Sequence, residues 1–107
     1  MSDEPVVATE PFYSMTRRAG DTLYLSGFGP VDDDLNVIGA DIGEQTRFTM
    51  DAIRRTLPGQ GATMAQLVRV NVFLLEMEDR DGFNSAYMEF FDGAPMPTRR
   101  LVGAGDM

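Results

Sequence analysis

Two stretches of the chain alternate between apolar and polar residues, and each predicts a β-strand with one buried face. In residues 21–27, Leu23 and Leu25 alternate with polar neighbours. Residues 67–75 give the strongest strand pattern, because aliphatic side chains occupy every second position from Val68 to Leu74. We therefore predict one strand in the first third of the chain and a stronger one after its midpoint.

The sequence around these strands predicts a hairpin and a covered sheet face. After the first strand, Gly29-Pro30 interrupts the pattern, and the acidic run of residues 32–34 predicts a turn. Residues 35–38 are then expected to return as the hairpin partner. Phe73 and Leu75 make the second face of the later strand partly apolar, so we expect another surface to cover it.

Two segments have the periodicity of amphipathic helices. The first begins at Asp41, which is expected to form a capping box with Glu44, and it ends before Pro58-Gly59. Its apolar face comprises Ile42, Thr46, Thr49, Met50, Ile53 and Leu57. The second helix is predicted at residues 79–91, with an aromatic series facing the core. That series is Phe83, Tyr87, Phe90 and Phe91.

A last strand is expected at residues 99–102, after the helix-breaking residues 93–97. The order hairpin, helix, strand, helix, strand predicts an α+β two-layer sandwich with two helices on one face of a mixed β-sheet. The 107 residues fit a single domain, residues 1–107, whose modest core favours an oligomer. Residues 1–10 are expected either to fray or to add an edge strand.

Three residue types are absent from the sequence, and their absence limits its chemistry. The chain has no His and no Cys, and its nine basic residues are all Arg. Thiolate nucleophiles, His proton shuttles and Lys Schiff bases are therefore excluded. We predict neither a cofactor nor a metal site, since the acidic run of residues 32–34 lacks the ligand spacing of a calcium loop.

The charge of the chain argues against two classes of partner. The net charge is -8 at pH 7, which disfavours nucleic acid and anionic membranes. The N-terminal sequence lacks the basic and apolar regions of a secretory signal, and no apolar run approaches the ~18 residues of a membrane span. We expect a cytoplasmic protein that binds neither nucleic acid nor membrane.

Several short motifs together resemble the RidA/YjgF/UK114 family, which is also called endoribonuclease L-PSP. They lie in the family's order: Tyr13-Ser14 ahead of Arg18-Ala19-Gly20, then Ser26-Gly27, Asp41-Ile42 with Glu44-Gln45-Thr46, residues 70–74, Phe83-Asn84 with Tyr87 and Phe90-Phe91, and Pro97-Thr98-Arg99. The resemblance covers residues 13–99. It implies a chorismate-mutase-like fold and a homotrimer with small-molecule clefts between subunits. It also implies hydrolysis of enamines and imines, such as 2-aminoacrylate, to a keto acid and ammonia.

The same resemblance implies a set of site residues. Arg99 is expected to bind a substrate carboxylate through the two parallel hydrogen bonds of its guanidinium fork. Tyr13 is expected to act beside it, as a wall of the cleft or a partner of the substrate nitrogen. Gly27, Asn84 and Phe28 complete the predicted substrate-binding set. Structural roles remain open for four of them: a surface position on the strand for Arg99, edge packing for Tyr13, an interface hydrogen bond for Asn84 and a β-bulge for Gly27.

The chain departs from the family pattern in three places. Phe28 replaces the usual glutamine, and Arg100-Leu101 replaces the usual small residues after Arg99. The sequence is short at its C-terminal end, where the family continues into a last strand with a Glu that is thought to position water. An imine deaminase remains the leading prediction. The alternatives are a non-catalytic trimer that binds small carboxylates or a protein partner, and an endoribonuclease, which the charge and the lack of His oppose.

Overall fold

The computed structural model describes residues 13–93 and 95–104, and its first element is a β-hairpin. Strands β1 (Thr16–Ala19) and β2 (Thr22–Leu25) pair antiparallel across a two-residue loop. Gly20 opens that loop with a φ of 60°, a conformation that favours glycine. The prediction that β2 pairs with residues 35–38 was therefore wrong. Its partner precedes it, and β1 escaped detection because its sequence, TRRA, has no apolar alternation.

The acidic run after the hairpin forms the predicted turn. The Asp32 carboxylate accepts hydrogen bonds from the backbone N–H groups of Asp34 and Asn36, each at 2.9 Å. Beyond the turn, Val37 forms an isolated antiparallel bridge with Val31. The returning segment thus pairs locally, and not with β2.

Helix α1 (Ile42–Thr56) begins as the sequence predicts. The Asp41 side chain accepts the backbone N–H of Glu44 at 2.9 Å, and the Glu44 carboxylate accepts the N–H of Ala40 at 2.8 Å. This is a capping box displaced by one residue, since Glu44 reaches the residue before the cap. A 3₁₀ turn at Leu57–Gln60 ends the helix.

Strand β3 (Arg69–Leu74) follows a short 3₁₀ turn at Met64–Gln66. Helix α2 (Arg80–Met88) comes next, after a 3₁₀ turn at Met77–Asp79, and strand β4 (Thr98–Gly103) then pairs parallel with β3. Helix α2 is shorter than the predicted 79–91, because the N–H groups of Phe90 and Phe91 bond three residues back, to Tyr87 and Met88. The backbone hydrogen bonds after Met88 therefore span three residues instead of four, and the α-helix ends there.

The two helices pack against each other and against one face of the β3–β4 pair. Gly82 of α2 lies so close to Ile42 of α1 that an added Cβ would be 2.6 Å from the Ile42 Cγ2 atom. The buried centre of the core is Met50, Tyr87 and Phe91. Partly buried residues around it come from both helices, the connecting turns and β3: Ile53, Met64, Leu67, Val70, Phe83 and Phe90. The aromatic series of the second helix therefore faces the core, as predicted.

The α+β class is confirmed, and both directions of strand pairing occur. Among the described residues the strands form two separate two-stranded sheets, one antiparallel and one parallel, where the sequence predicted a single mixed sheet. Periodicity identifies strands but not which distant segments pair, and this explains the difference. The predicted edge strand near the N-terminus lies outside the described residues. Neither α1 nor α2 combines the length and the apolar character that a membrane crossing requires.

Candidate functional site

Arg99 is the second residue of β4, and the sheet register decides where it points. It pairs in register with Val70 of β3, which belongs to the core cluster beneath the helices. Neighbours in register project to the same side of a sheet, so Arg99 faces α2 although its side chain is largely exposed. Arg100, the next residue, faces the opposite side.

The guanidinium of Arg99 lies against two aromatic rings of α2. Its Cζ atom is 4.9 Å from the ring centroid of Tyr87 and 5.7 Å from that of Phe83. These residues are four positions apart on the helix and share one face, with their ring centroids 5.4 Å apart. We call this pair of rings the aromatic shelf. Tyr87 is the fixed part of the shelf, because it is 2% exposed and its other side contacts Phe91.

A cavity of about 330 Å³ opens beside the shelf. Its lining combines polar side chains from α2 and β4 with apolar ones from the end of α2 and the loop before β4: Asn84, Tyr87, Met88, Met96, Pro97 and Arg99. Within residues 13–93 and 95–104, no hydrogen bond or ion pair involves the Arg99 guanidinium. Its donors are therefore available to an anion that enters the cavity.

Two further polar atoms at this site are buried and unpaired in the described part of the chain. They are the Asn84 Oδ1 atom and the Tyr87 hydroxyl. A buried polar group without a partner costs about 1–3 kcal/mol, so such groups tend to mark functional positions or bound water. Burial raises the pKa of the Tyr87 hydroxyl, and the nearby Arg99 charge opposes that shift. Tyr87 is thus neutral at physiological pH.

The lining of this cavity can bind an anionic group and fix its orientation. A guanidinium fork binds a carboxylate through two parallel hydrogen bonds, which fix the orientation of the ligand as well as its charge. The described lining residues include no carboxylate that could act as a general base. No cluster of acidic residues suited to a metal ion occurs in the parts of the chain that the structure covers.

The structure separates the residues that the resemblance assigned to one site. Arg99 and Asn84 line the first cavity together. Gly27 and Phe28 instead line a second concavity of about 520 Å³, between the end of the hairpin and α1. Tyr13 is 63% exposed and lines neither concavity. The Arg99 cavity of one chain therefore contains only two of the five predicted site residues.

Four lining residues of the first cavity were not predicted as site residues. Tyr87 was assigned to the core, which is correct but incomplete, since its ring also supports Arg99. The sequence did contain a signal for Tyr87, because residues three apart share a helix face and Tyr87 follows the predicted site residue Asn84 by three. Met96 and Pro97 precede Arg99 so closely that they share its surroundings, while nothing in the sequence pattern singled out Met88.

Comparison with known proteins places this geometry in a family. The family model described as endoribonuclease L-PSP matches residues 2–107. The mitochondrial protein mmf2 of Schizosaccharomyces pombe is 34% identical over 93 residues, which are 87% of this chain and 72% of that protein. The 2-iminobutanoate/2-iminopropanoate deaminase of Dermatophagoides farinae is 28% identical over 96 residues, 89% of this chain and 74% of that protein.

The fold agrees with this relationship. A crystal structure of TdcF from E. coli with bound serine superposes with a TM-score of 0.81 at 25% identity, covering 92% of this chain and 79% of that one. The predicted chorismate-mutase-like α+β fold is thereby confirmed. The motifs read from the sequence, the fold and the matching family model agree, and the chain belongs to the endoribonuclease L-PSP family, the RidA/YjgF/UK114 family that its motifs resemble.

Proposed function

We propose that this protein hydrolyses reactive enamine and imine acids, such as 2-aminoacrylate, to 2-keto acids and ammonia. The observation that carries the proposal is the Arg99 guanidinium, which opens onto a cavity and has no acidic partner within the described residues. A carboxylate bound there would hold the adjacent imine carbon at a fixed place in the cavity. Fixing the reacting carbon reduces the entropic cost of attack by water.

The reaction needs little from the protein beyond this orientation. 2-Aminoacrylate tautomerises to the imine of pyruvate by moving a proton from nitrogen to the terminal carbon. Water then adds to the imine carbon and forms a C–O bond, and cleavage of the C–N bond releases ammonia and leaves pyruvate. An imine hydrolyses readily once it is protonated and oriented, so a site without His, Lys or Cys is adequate.

The relatives support the same chemistry. One is named as a 2-iminobutanoate/2-iminopropanoate deaminase, and the substrates in that name are carboxylic acids that carry an imine next to the carboxylate. The crystal structure of TdcF contains serine, whose carboxylate and α-nitrogen have the same relative placement. A site that binds this pair of groups fits both proteins.

We further propose that the site is completed in a homotrimer, by residues of a neighbouring subunit. Gly27 and Phe28 line a concavity separate from that of Arg99, and Tyr13 lines neither, so a cleft between two subunits would reunite them. Phe73 and Leu75 are 61% and 60% exposed beside the described sheet, and another subunit would cover this apolar surface. Light scattering on a sizing column tests the assembly, and a monomeric mass would contradict it.

A non-catalytic role in binding small carboxylates, or a protein partner, is the second candidate. The observation that favours it is the lack of a carboxylate among the described lining residues of the Arg99 cavity. Such a protein would bind serine or pyruvate without accelerating keto-acid formation. An endoribonuclease, the activity in the family's description, is disfavoured by the net charge of -8.

The turnover of 2-aminoacrylate is the main test of the proposed enzyme. 2-Aminoacrylate is generated in solution by an enzyme that eliminates water from serine, and the rate of pyruvate formation is followed with and without the protein. We expect acceleration by the wild type and none by Arg99→Ala. Arg47→Ala is the matched control, because Arg47 pairs with Glu89 on the exposed surface of the helices and lines neither concavity.

Equal activity in the wild type and in Arg99→Ala would contradict the proposed site. Binding of pyruvate without any acceleration would support the non-catalytic role. Cleavage of RNA by protein free of contaminating nuclease, with a steep dependence on salt, would support the ribonuclease instead.

A further inference from the structure

Both rings of the aromatic shelf make a contact that their packing in the core does not require. Tyr87 and Phe83 pack on the core, yet both rings also contact the guanidinium of Arg99. A core tyrosine needs no cation against its ring, and an exposed arginine on a strand needs no ring beneath it. The coincidence of both at the cavity points to a shared function.

We propose that Tyr87, supported by Phe83, is a positioning residue that holds the plane of the Arg99 guanidinium so that its hydrogen-bonding edge faces the cavity. The inference rests on the proposed function, since it concerns how Arg99 receives a substrate carboxylate. Contact with a ring leaves the edge of a guanidinium free, because attraction to the aromatic face uses the flat side of the cation.

The shelf is rigid enough for this role. Tyr87 is 2% exposed and lies between Phe83 and Phe91, with ring centroids 5.4 Å and 4.9 Å away. A ring held on both sides has one orientation available to it. Arg99, by contrast, is exposed and has a long flexible side chain, so the ring supplies the order that the side chain lacks.

A second arginine in the same core region shows what is special about this contact. The Arg54 guanidinium lies 5.2 Å from the ring of Phe90, but it also pairs with the carboxylate of Asp51, three residues earlier on α1. There the carboxylate of the chain itself satisfies the cation. At Arg99 the described residues offer a ring and no carboxylate, which is the arrangement expected where the missing anion is a ligand.

An oriented guanidinium affects turnover as well as affinity. Two parallel hydrogen bonds place the carboxylate in the plane of the guanidinium, and this plane then determines where the imine carbon lies. Release of the guanidinium from the ring would let the carboxylate bind in several orientations, of which few present the carbon to water. We therefore expect loss of the ring to lower kcat in addition to raising KM.

Three variants test the proposal, each assayed for kcat and KM with 2-aminoacrylate, for the Kd of pyruvate and for thermal unfolding. Tyr87→Leu removes the ring and is expected to lower kcat/KM about tenfold. Tyr87→Phe keeps a ring and is expected to recover most of that loss. Phe90→Leu is the matched control, because Phe90 is partly buried against the same core but is neither part of the shelf nor a lining residue of the cavity.

The proposal requires Tyr87→Leu and Phe90→Leu, which both remove a ring from the core, to differ in kinetics. A folded Tyr87→Leu with wild-type kcat and KM would overturn it, as would an equal kinetic loss in Phe90→Leu. If Tyr87→Leu does not fold, the partly buried Phe83 gives the same test through Phe83→Leu. Wild-type kinetics in Arg99→Ala would instead refute the proposed function, so the two failures are distinguishable.

Discussion

The Arg99 cavity and the concavity beside Gly27 and Phe28 differ less in volume than in how their charged groups are paired. The larger one, beside Gly27 and Phe28, also contains Asp32 and Arg55. The Asp32 carboxylate accepts hydrogen bonds from backbone N–H groups of its own turn, and these bonds lower its pKa. Arg55 forms an ion pair with Asp51 at 2.8 Å. In the smaller cavity, Arg99 has a ring beneath it and, among the residues the structure describes, no acidic partner.

This difference shows that volume alone does not identify a ligand site. The larger concavity has polar groups whose hydrogen bonds are made within the chain, so a ligand gains little by replacing them. The smaller cavity contains an exposed cation whose guanidinium makes no hydrogen bond or ion pair in the described chain. Binding of a ligand there would add interactions without first breaking any.

The largest expected effect compares the two arginines. Arg99→Ala should weaken pyruvate binding about a hundredfold, because two charge-assisted hydrogen bonds are lost. Arg55→Ala removes a cation that already pairs with Asp51, and should change pyruvate binding by no more than about threefold. Isothermal titration calorimetry gives both values. Similar losses in the two variants would show that general charge, and not the Arg99 site, attracts the carboxylate.

The next effect concerns the helix contact that joins the walls of the two concavities. Gly82→Ala would bring a Cβ to 2.6 Å from the stiff Cγ2 branch of Ile42. The gain in helix propensity, about 1 kcal/mol, is smaller than the cost of overpacking, about 1–3 kcal/mol, so we expect a net loss of about 1 kcal/mol in the free energy of unfolding. Urea titration measures it, and a more stable variant would contradict the tight contact.

Gly27→Ala is the companion test in the larger concavity. A Cβ at Gly27 meets nothing within 4 Å in this chain, so the free energy of unfolding should change by less than about 0.5 kcal/mol. Turnover of 2-aminoacrylate is the informative measurement. A marked loss of activity in this stable variant would place Gly27 against the ligand or a neighbouring subunit, as proposed, while wild-type activity would leave the larger concavity outside the site.

The stability of the protein at high pH should depend on Tyr87, which lines the smaller cavity. Burial raises its pKa above the ordinary value of 10.0, so the folded state keeps the phenol proton when the unfolded state has lost it. This contribution to stability is complete below pH 10.0, and it declines as the pH rises from there through the folded-state pKa. Above pH 10.0, the melting temperature should therefore fall less steeply with pH in Tyr87→Phe than in the wild type. Identical slopes would argue against a buried neutral phenol.

The smallest effect is expected at low pH, on the surface between the helices. Arg47 of α1 hydrogen-bonds to Glu89, just beyond α2, at 2.9 Å, and this contact lowers the Glu89 pKa below 4.5. The stabilisation is present above pH 4.5 and is lost as the pH falls through the folded-state pKa. Glu89→Gln should flatten this part of the stability profile slightly, whereas Glu78→Gln, with no such contact among the described residues, should leave it unchanged.

Much of the fold could be predicted because its signals are local. Helix α1 starts at the capping box of Asp41 and Glu44. The helical periodicity after Asp41 corresponds to α1, and the alternation in residues 67–75 corresponds to β3. The misses share one cause. Strand β1 has no alternation to detect, the partner of β2 depends on pairing, and α2 ends early where the chain tightens after Met88. Each of these depends on contacts that periodicity does not record.

The sequence by itself determined the class of fold and the family, and it predicted Arg99 as the leading site residue. Without His, Lys or Cys, a guanidinium in a Pro-Thr-Arg motif was the strongest candidate for binding a small acid. Tertiary structure alone decided what surrounds it. The pairing of Arg99 with Val70 turns the side chain toward α2, and helix packing places the Tyr87 ring beneath it. Local residue types encode chemistry, but the direction of a side chain and its neighbours arise only when distant segments pack together.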